Sequence, residues 1–331
     1  MRARYVVLPV ALAALLAAAA APAQDTAITG FVDASYFQDL AAKGGEFGLD
    51  QAEIDIEHRS GDRTMVRADL EWVKNGETFD AQVEQAFVRY TCPADWTLTF
   101  GRFNAPIGFE QIDPNEMYQF SHALVYTYGQ PTNLTGIMVD RPIGERVTVT
   151  AFGVNGWDQN AESNALKTWG GRLDYTHGVV DGGIVAITGK EGGGAAPEFD
   201  RTVLDADLAC TPEGWVLGAD LNHGKVTEAG GAEATWFGFM VMAHRDFNSW
   251  LGLTMRADYL DDQDGLLFGP VGGEVQKRNA IAIAPTFVLD EGFGALVELR
   301  IDKSDQDAFL DSDGLPTDTS TSVAFEMTYA F

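Results

Sequence analysis

The sequence has 331 residues, with 49 Asp and Glu against 22 Lys and Arg and a formal net charge of −27. That acid surplus excludes nucleic acid as a partner, because phosphate binding needs clustered cations. The 36 glycines and 46% apolar content fit a chain of many turns and of strands with one wet face, whether secreted and soluble or embedded in a membrane.

Arg2 and Arg4 precede an apolar run over 5–21 that closes in Ala21-Pro22-Ala23. A basic start, an apolar middle and a small-residue end make a secretory signal peptide, so 1–23 is expected to be cleaved. Residues 24–331 are then expected to form one domain. No Cys follows the cleavage point, which argues against a lipid anchor. No later apolar run approaches the ~20 residues of a membrane helix; 236–243 is among the longest.

Period-two alternation then recurs along the chain, and period two assigns each set to its own face of a strand. Ala52, Ile54 and Ile56 alternate with Glu53, Asp55 and Glu57; Val66, Ala68, Leu70 and Trp72 alternate with Arg67, Asp69 and Glu71. Trp96, Leu98 and Phe100 alternate with threonines, and Leu173 and Tyr175 with Arg172 and Asp174. Leu204, Ala206 and Leu208 alternate with Asp205 and Asp207; Trp215, Leu217, Ala219 and Leu221 alternate with Asp220 and Asn222. Leu253, Met255, Ala257 and Tyr259 alternate with Arg256 and Asp258; Val297, Leu299 and Ile301 alternate with Glu298, Arg300 and Asp302. A phase change within 81–90 predicts a bulge. The segments 137–140, 184–188 and 235–243 are ambiguous.

A β-sandwich would show the same pattern, but three features favour a membrane barrel. Strands of about 9–11 residues suit a tilted bilayer crossing. Apolar faces begin or end in aromatics, as a girdle requires. Connections alternate in length: the short ones are 60–63, 92–95, 141–145, 177–180, 210–214, 245–249 and 290–292. The long ones are 38–46, 74–78, 101–136, 155–165, 190–200, 222–233, 261–277 and 303–319. That is the short-turn, long-loop arrangement of outer-membrane barrels, and fifteen connections imply sixteen antiparallel strands, with fourteen or eighteen left open. Closure follows because unpaired strand edges cannot lie in lipid. The fold expected is all-β, a closed transmembrane β-barrel.

The stretch 101–136 is too long and too aromatic for an idle or disordered connection. It is expected to fold into the lumen as a constriction, with packing over the rim as the alternative. Glu110, Asp113 and Glu116 are the candidates for its narrowest point, with Arg102 and Arg89 as opposing charges. The inward set has more acids than arginines, which predicts enrichment of cations in the lumen.

The last strand, TSVAFEMTYAF, alternates Val323, Phe325, Met327, Tyr329 and Phe331 with Ala324 and Glu326, and ends on the terminal residue. An amphipathic C-terminal strand ending in an aromatic resembles the signal that outer-membrane assembly machinery recognises. With it, ITGFVDASYF, VEQAFVRY and LTFGRFNAPIGFEQIDPNE resemble the OmpL-like β-barrel porins and, more distantly, phosphate-selective porins. The resemblance implies an outer-membrane channel for passive diffusion of small hydrophilic solutes and ions, with lipid and lipopolysaccharide as surroundings. Porins of this strand number are often homotrimers, though no trimer signature is legible in these residues. No cofactor is implied.

Other chemistry is weakly represented. The five histidines are scattered without metal-ligand spacing. Ser121-His122 keeps open an outer-membrane hydrolase, and a lumen sealed by its loop keeps open a structural or adhesive barrel. The run 183–190 has the wrong spacing for a phosphate-binding loop and reads as a glycine-containing strand end. Asp261, Asp262, Asp264, Asp311 and Asp313 form only fragments of calcium loops. Cys92 and Cys210 fall in turns too far apart around the wall to be joined.

Overall fold

The computed structural model describes residues 24–41, 44–194 and 196–331. The expected leader at 1–23 lies outside the described residues. The alternating segments form β1 (Gln24–Asp39), β2 (Glu46–Ser60), β3 (Thr64–Asn75), β4 (Thr78–Thr91), β5 (Thr97–Asn104), β6 (Asn133–Ile143), β7 (Val147–Val154) and β8 (Thr168–His177). They continue as β9 (Val180–Gly193), β10 (Ala196–Cys210), β11 (Trp215–Glu228), β12 (Glu233–Asp246), β13 (Leu251–Asp262), β14 (Gln276–Asp290) and β15 (Phe293–Ser304). A small hairpin of β16 (Phe309–Leu310) and β17 (Pro316–Thr317) stands apart, and β18 (Thr319–Ala330) is last.

Every wall strand pairs with its neighbours in the chain, and β1 pairs antiparallel with β18, closing a sixteen-stranded barrel. The seam ends where Gly30 N–H donates to the Phe331 carbonyl (3.2 Å) and Phe331 N–H to the Gly30 carbonyl (3.0 Å). No strand edge is left for lipid to meet, as the burial cost of unpaired backbone groups requires.

Side chains sort by parity. Ile54, Val66, Leu98, Leu173, Leu204, Leu221, Met255, Ile281 and Leu299 are exposed on the outside, while Glu53, Asp69, Thr99, Asp205, Asp220, Arg256 and Glu298 are buried inside. An apolar belt around the whole circumference is tolerable only against hydrocarbon. No helix among the described residues is long and apolar enough to cross a membrane, so the strands carry the belt. Toward the end that bears the termini, Trp96 and Trp215 face outward under Arg141 and Arg245, whose guanidinium carbons lie 4.7 and 5.0 Å from the rings. Cys92 and Cys210 are both free, one after β4 and the other at the end of β10.

Several expectations need correction. Strand lengths run from 8 residues in β5 and β7 to 16 in β1, beyond the expected 9–11. The connections expected to be long at 74–78, 190–200 and 222–233 are tight hairpins, because β3–β4, β9–β10 and β11–β12 keep their ladders past the apolar belt. Polarity marks where the strands leave the apolar belt; the backbone goes on pairing beyond it. For the same reason 183–190 lies within β9 rather than at its end. The ambiguous segments belong to β6, β9 and β12, whose alternation is blurred because Leu134, Met138, Val185, Ile187, Trp236, Met240 and Met242 give them apolar inner faces as well. The long connection itself spans 105–132, since β5 runs to Asn104 and β6 begins at Asn133.

The acids read as calcium-loop fragments organise turns. Asp262 accepts the N–H groups of Leu266, Leu267 and Phe268, and Asp311 those of Asp313 and Leu315.

Candidate functional site

Pro106, Gly108, Pro114, Gly129 and Pro131 break any strand pattern in 105–132, so its path is set by what it packs against. Phe109 N–H donates to Asp220 on β11 (3.2 Å). A 3-10 turn at Pro114–Glu116 then meets β1 and β18, and the short α1 (Leu124–Gly129) lies against β11–β14. Ile107, Ala123, Leu124 and Val125 join Trp236, Met240 and Leu260 in one buried cluster inside the barrel. The apolar inner faces noted above are therefore the seat of this loop.

Glu110 fastens the segment. One oxygen accepts from Arg256 Nη1 (2.9 Å) and Gln119 Nε2 (2.6 Å), the other from Ala123 N–H (2.7 Å), and His122 Nδ1 lies 3.5 Å away. Arg256, whose side chain has no exposure, also donates to Asp258 (3.0 Å), Ser121 Oγ (3.1 Å) and the carbonyls of Ser121 and His122. Arg300 donates to the same His122 carbonyl (2.7 Å), while Glu298 accepts from Ser121 N–H and Asp258 from Leu124 N–H. Burial opposes ionisation of Glu110, yet the His122 contact, the Arg256 charge and the Ala123 N–H outweigh it and hold its carboxyl below the usual range.

The other candidate residues fall in different places. Asp113 precedes the 3-10 turn without a side-chain hydrogen bond to it and is pushed up to about 8, first by burial and then by the charges of Glu84, Glu116 and Asp55. Glu116 is exposed. Arg102 donates to the Val83 and Glu84 carbonyls, Asn160 and Asn133, and Arg89 to Thr99 while lying over Phe87. Around the wall Arg67 pairs with Asp69 and Asp55, Arg300 with Asp302, and Glu57 with Arg59. Arg172 pairs with Asp174 and reaches across β9 to Asp207; a Cβ on the intervening Gly183 would lie 2.4 Å from its guanidinium. Asp205 accepts from Asn222, and Glu53 and Glu71 share the amide of Gln51.

Sequence reasoning missed Glu84, which the bulge in β4 turns inward, and the backbone of Ser121–Ala123 as the loop's docking strip. The phase change within 81–90 was the available signal for the first. Ser121 Oγ accepts from Arg256 while the His122 ring stacks on Tyr126 at 3.8 Å, so these two adjacent residues do not form a nucleophile–base pair.

Cavities lie on both sides of the loop. Toward the long connections, about 410 Å³ is lined by residues including His122, Gln130, Asp158, Arg201 and Leu267. Toward the terminal end, about 300 Å³ is lined by Glu116, Gln119, Thr211 and neighbours. A third, of about 270 Å³, separates Gln111 and Ile112 from Arg172.

A family model described as "Putative beta-barrel porin-2, OmpL-like" matches residues 26–331. Comparison with curated proteins finds no match. Among solved structures, the anion-selective porin from Comamonas acidovorans superimposes with a TM-score of 0.70 at 14% identity, covering 93% of this chain and 100% of that one. The trimer form of OmpT, an outer membrane protein of Vibrio cholerae, gives 0.69 at 8% identity over 93% and 100%. The outer membrane channel DcaP of Acinetobacter baumannii gives 0.68 at 12% identity over 93% and 97%. At such identities the likeness is one of fold.

Proposed function

The chain belongs to the OmpL-like β-barrel porin-2 family, and on that premise we propose that it conducts small hydrophilic solutes and ions passively across the outer membrane, with a mild preference for cations. The observation that carries this reading is the position of 105–132: it is bonded to inward side chains of β11, β13 and β15, with open cavities on either side of it. A segment so placed narrows a wide barrel, and a solute that passes it comes within a few ångströms of fixed charges.

Cation preference is supported by the surplus of carboxylates on the inner wall. Arg67, Arg172, Arg256 and Arg300 are each already paired, whereas Glu116, exposed on the loop, has no arginine or lysine within ion-pair distance among the described residues. Assembly as a homotrimer within lipopolysaccharide, and recognition of β18 ending at Phe331 by the assembly machinery, belong to the same proposal.

Single-channel recording in planar bilayers tests it. The reading expects stepwise ohmic conductance and, in a KCl gradient, a reversal potential on the cation side. Absence of conductance from a folded barrel overturns the channel; an anionic reversal potential overturns the preference alone.

A further inference from the structure

The bulge in β4 has a chemical consequence. Asp69 pairs with Gln85 and Leu70 with Val83, so Glu84 has no residue opposite it. The extra residue turns both Glu84 and Gln85 to the inside, where Glu84 is 2% exposed. There it meets Glu53 from β2 and Glu71 from β3, and one carboxylate oxygen from each of the three lies within 4.8 Å of the others.

The surroundings do little to neutralise this group. Gln51 Nε2 donates to Glu53 (3.2 Å) and Glu71 (2.9 Å). Arg67 is engaged by Asp69 and Asp55, and Arg102 by backbone carbonyls and two asparagines. Both oxygens of Glu84 and Oε1 of Glu53 are enclosed, and among the described residues no N–H or hydroxyl donor reaches them; their nearest polar company is the carboxyls of Asp113 and Asp55. Three buried carboxylates without cations repel one another and forfeit their hydration, which no barrel wall tolerates uncompensated.

We propose that Glu53, Glu71 and Glu84 bind a hard divalent cation of the calcium class within the wall of the barrel. Ca²⁺–oxygen distances of about 2.3–2.6 Å place ligand oxygens no more than about 5 Å apart, the spacing found here. An all-oxygen donor set without His or Cys selects Ca²⁺ or Mg²⁺ over zinc or copper. Asp113 faces the same carboxylates from the loop, so the ion also lowers the repulsion that its 3-10 turn meets. Bound Ca²⁺ thereby ties β2, β3 and β4 together beside the loop's 3-10 turn.

The test uses the full barrel refolded into detergent without lipopolysaccharide, with CaCl₂ as the probe. Calorimetric titration at neutral pH is expected to show one saturable site, and thermal unfolding of the wild type to shift upward in Ca²⁺ relative to EDTA. Glu84→Gln is expected to weaken binding at least tenfold, to abolish the Ca²⁺-dependent shift, and to be more stable than wild type in EDTA because one like charge is gone. Glu198→Gln, an exposed acid on β10, is expected to bind as wild type. Two results overturn the site: wild-type stability indifferent to millimolar Ca²⁺, which would mean the cluster holds protons instead, or unchanged binding in folded Glu84→Gln. Neither bears on conductance, so failure here is distinguishable from failure of the channel reading.

Discussion

Nη1 of Arg256 lies 2.9 Å from Oε1 of Glu110, a loop residue 146 positions earlier in the chain, and both side chains are almost wholly buried. This pair joins the wall to the segment that crosses the lumen. Around it Arg256 also grips the Ser121 and His122 carbonyls, so one guanidinium holds both limbs of the loop.

Removing one partner of that pair should release the loop while leaving the barrel closed. Loss of one member of a buried ion pair costs roughly 3–5 kcal/mol, and here the cost falls on loop docking because wall pairing is untouched. Glu110→Gln and Arg256→Met are each expected to raise single-channel conductance or its noise, with heat-modifiable migration on gels unchanged. The double variant should be less perturbed than the sum of the two, since the second substitution has no Glu110–Arg256 pair left to break. Unaltered conductance in both single variants would count against a role for the latch in setting the aperture.

Acid should open the same latch, and the sign follows from the direction of the Glu110 shift. Its folded value is depressed, so its contribution is fully present above the ordinary carboxylate value, about 4.3, and is lost as pH falls through the lower folded value. The groups facing it are His122 in the loop, Arg256 and Asp258 on β13, and Glu298 and Arg300 on β15. Wild-type channels should keep their pH 7 conductance at pH 5 and acquire the Glu110→Gln behaviour only as pH falls below the ordinary carboxylate value. Channels that change between pH 7 and 5 would place the controlling group elsewhere.

Selectivity should follow the unpaired acids rather than the latched one. Glu116→Gln is expected to move the reversal potential toward zero at pH 7, most clearly at low salt, where the Debye length exceeds its ~8 Å at physiological ionic strength; adding Asp113→Asn should move it further only as pH rises past about 8, where that carboxyl ionises. A reversal potential unchanged by this pair assigns selectivity to the wall.

Trp236 should resist displacement. Its ring is 1% exposed, its Nε1 donates to Asn222 (2.8 Å), and a Cβ on Gly224 would fall 1.8 Å from it. Gly224→Ala is therefore expected to cost about 1–3 kcal/mol by overpacking and to loosen α1, read as lower thermal stability and a shifted Trp emission.

Period-two alternation and connection spacing were enough to specify the barrel. Strand parity depends only on local pleat, and lipid outside with water inside imposes it on every strand, so Leu98, Leu173 or Met255 declare their face unaided. The bulge near Glu84 and the closing strand to Phe331 were legible for the same reason. Strand ends were not, because beyond the apolar belt both faces are wet and Lys190 or Glu228 reads as loop while its backbone still pairs.

Only the tertiary structure decided what the inward residues do. Arg256, Asp258, Glu298 and Arg300 are indistinguishable by parity from Arg172 or Asp207, yet the first four hold the loop and the last two hold each other. Glu110, which reads as an aperture acid, is buried against Arg256. Which charges remain free to act on a solute depends on where 105–132 settles, and that is set by apolar contacts with Trp236, Met240 and Leu260 more than a hundred residues away in sequence. No local pattern encodes a partner at that separation; packing across the lumen chooses it.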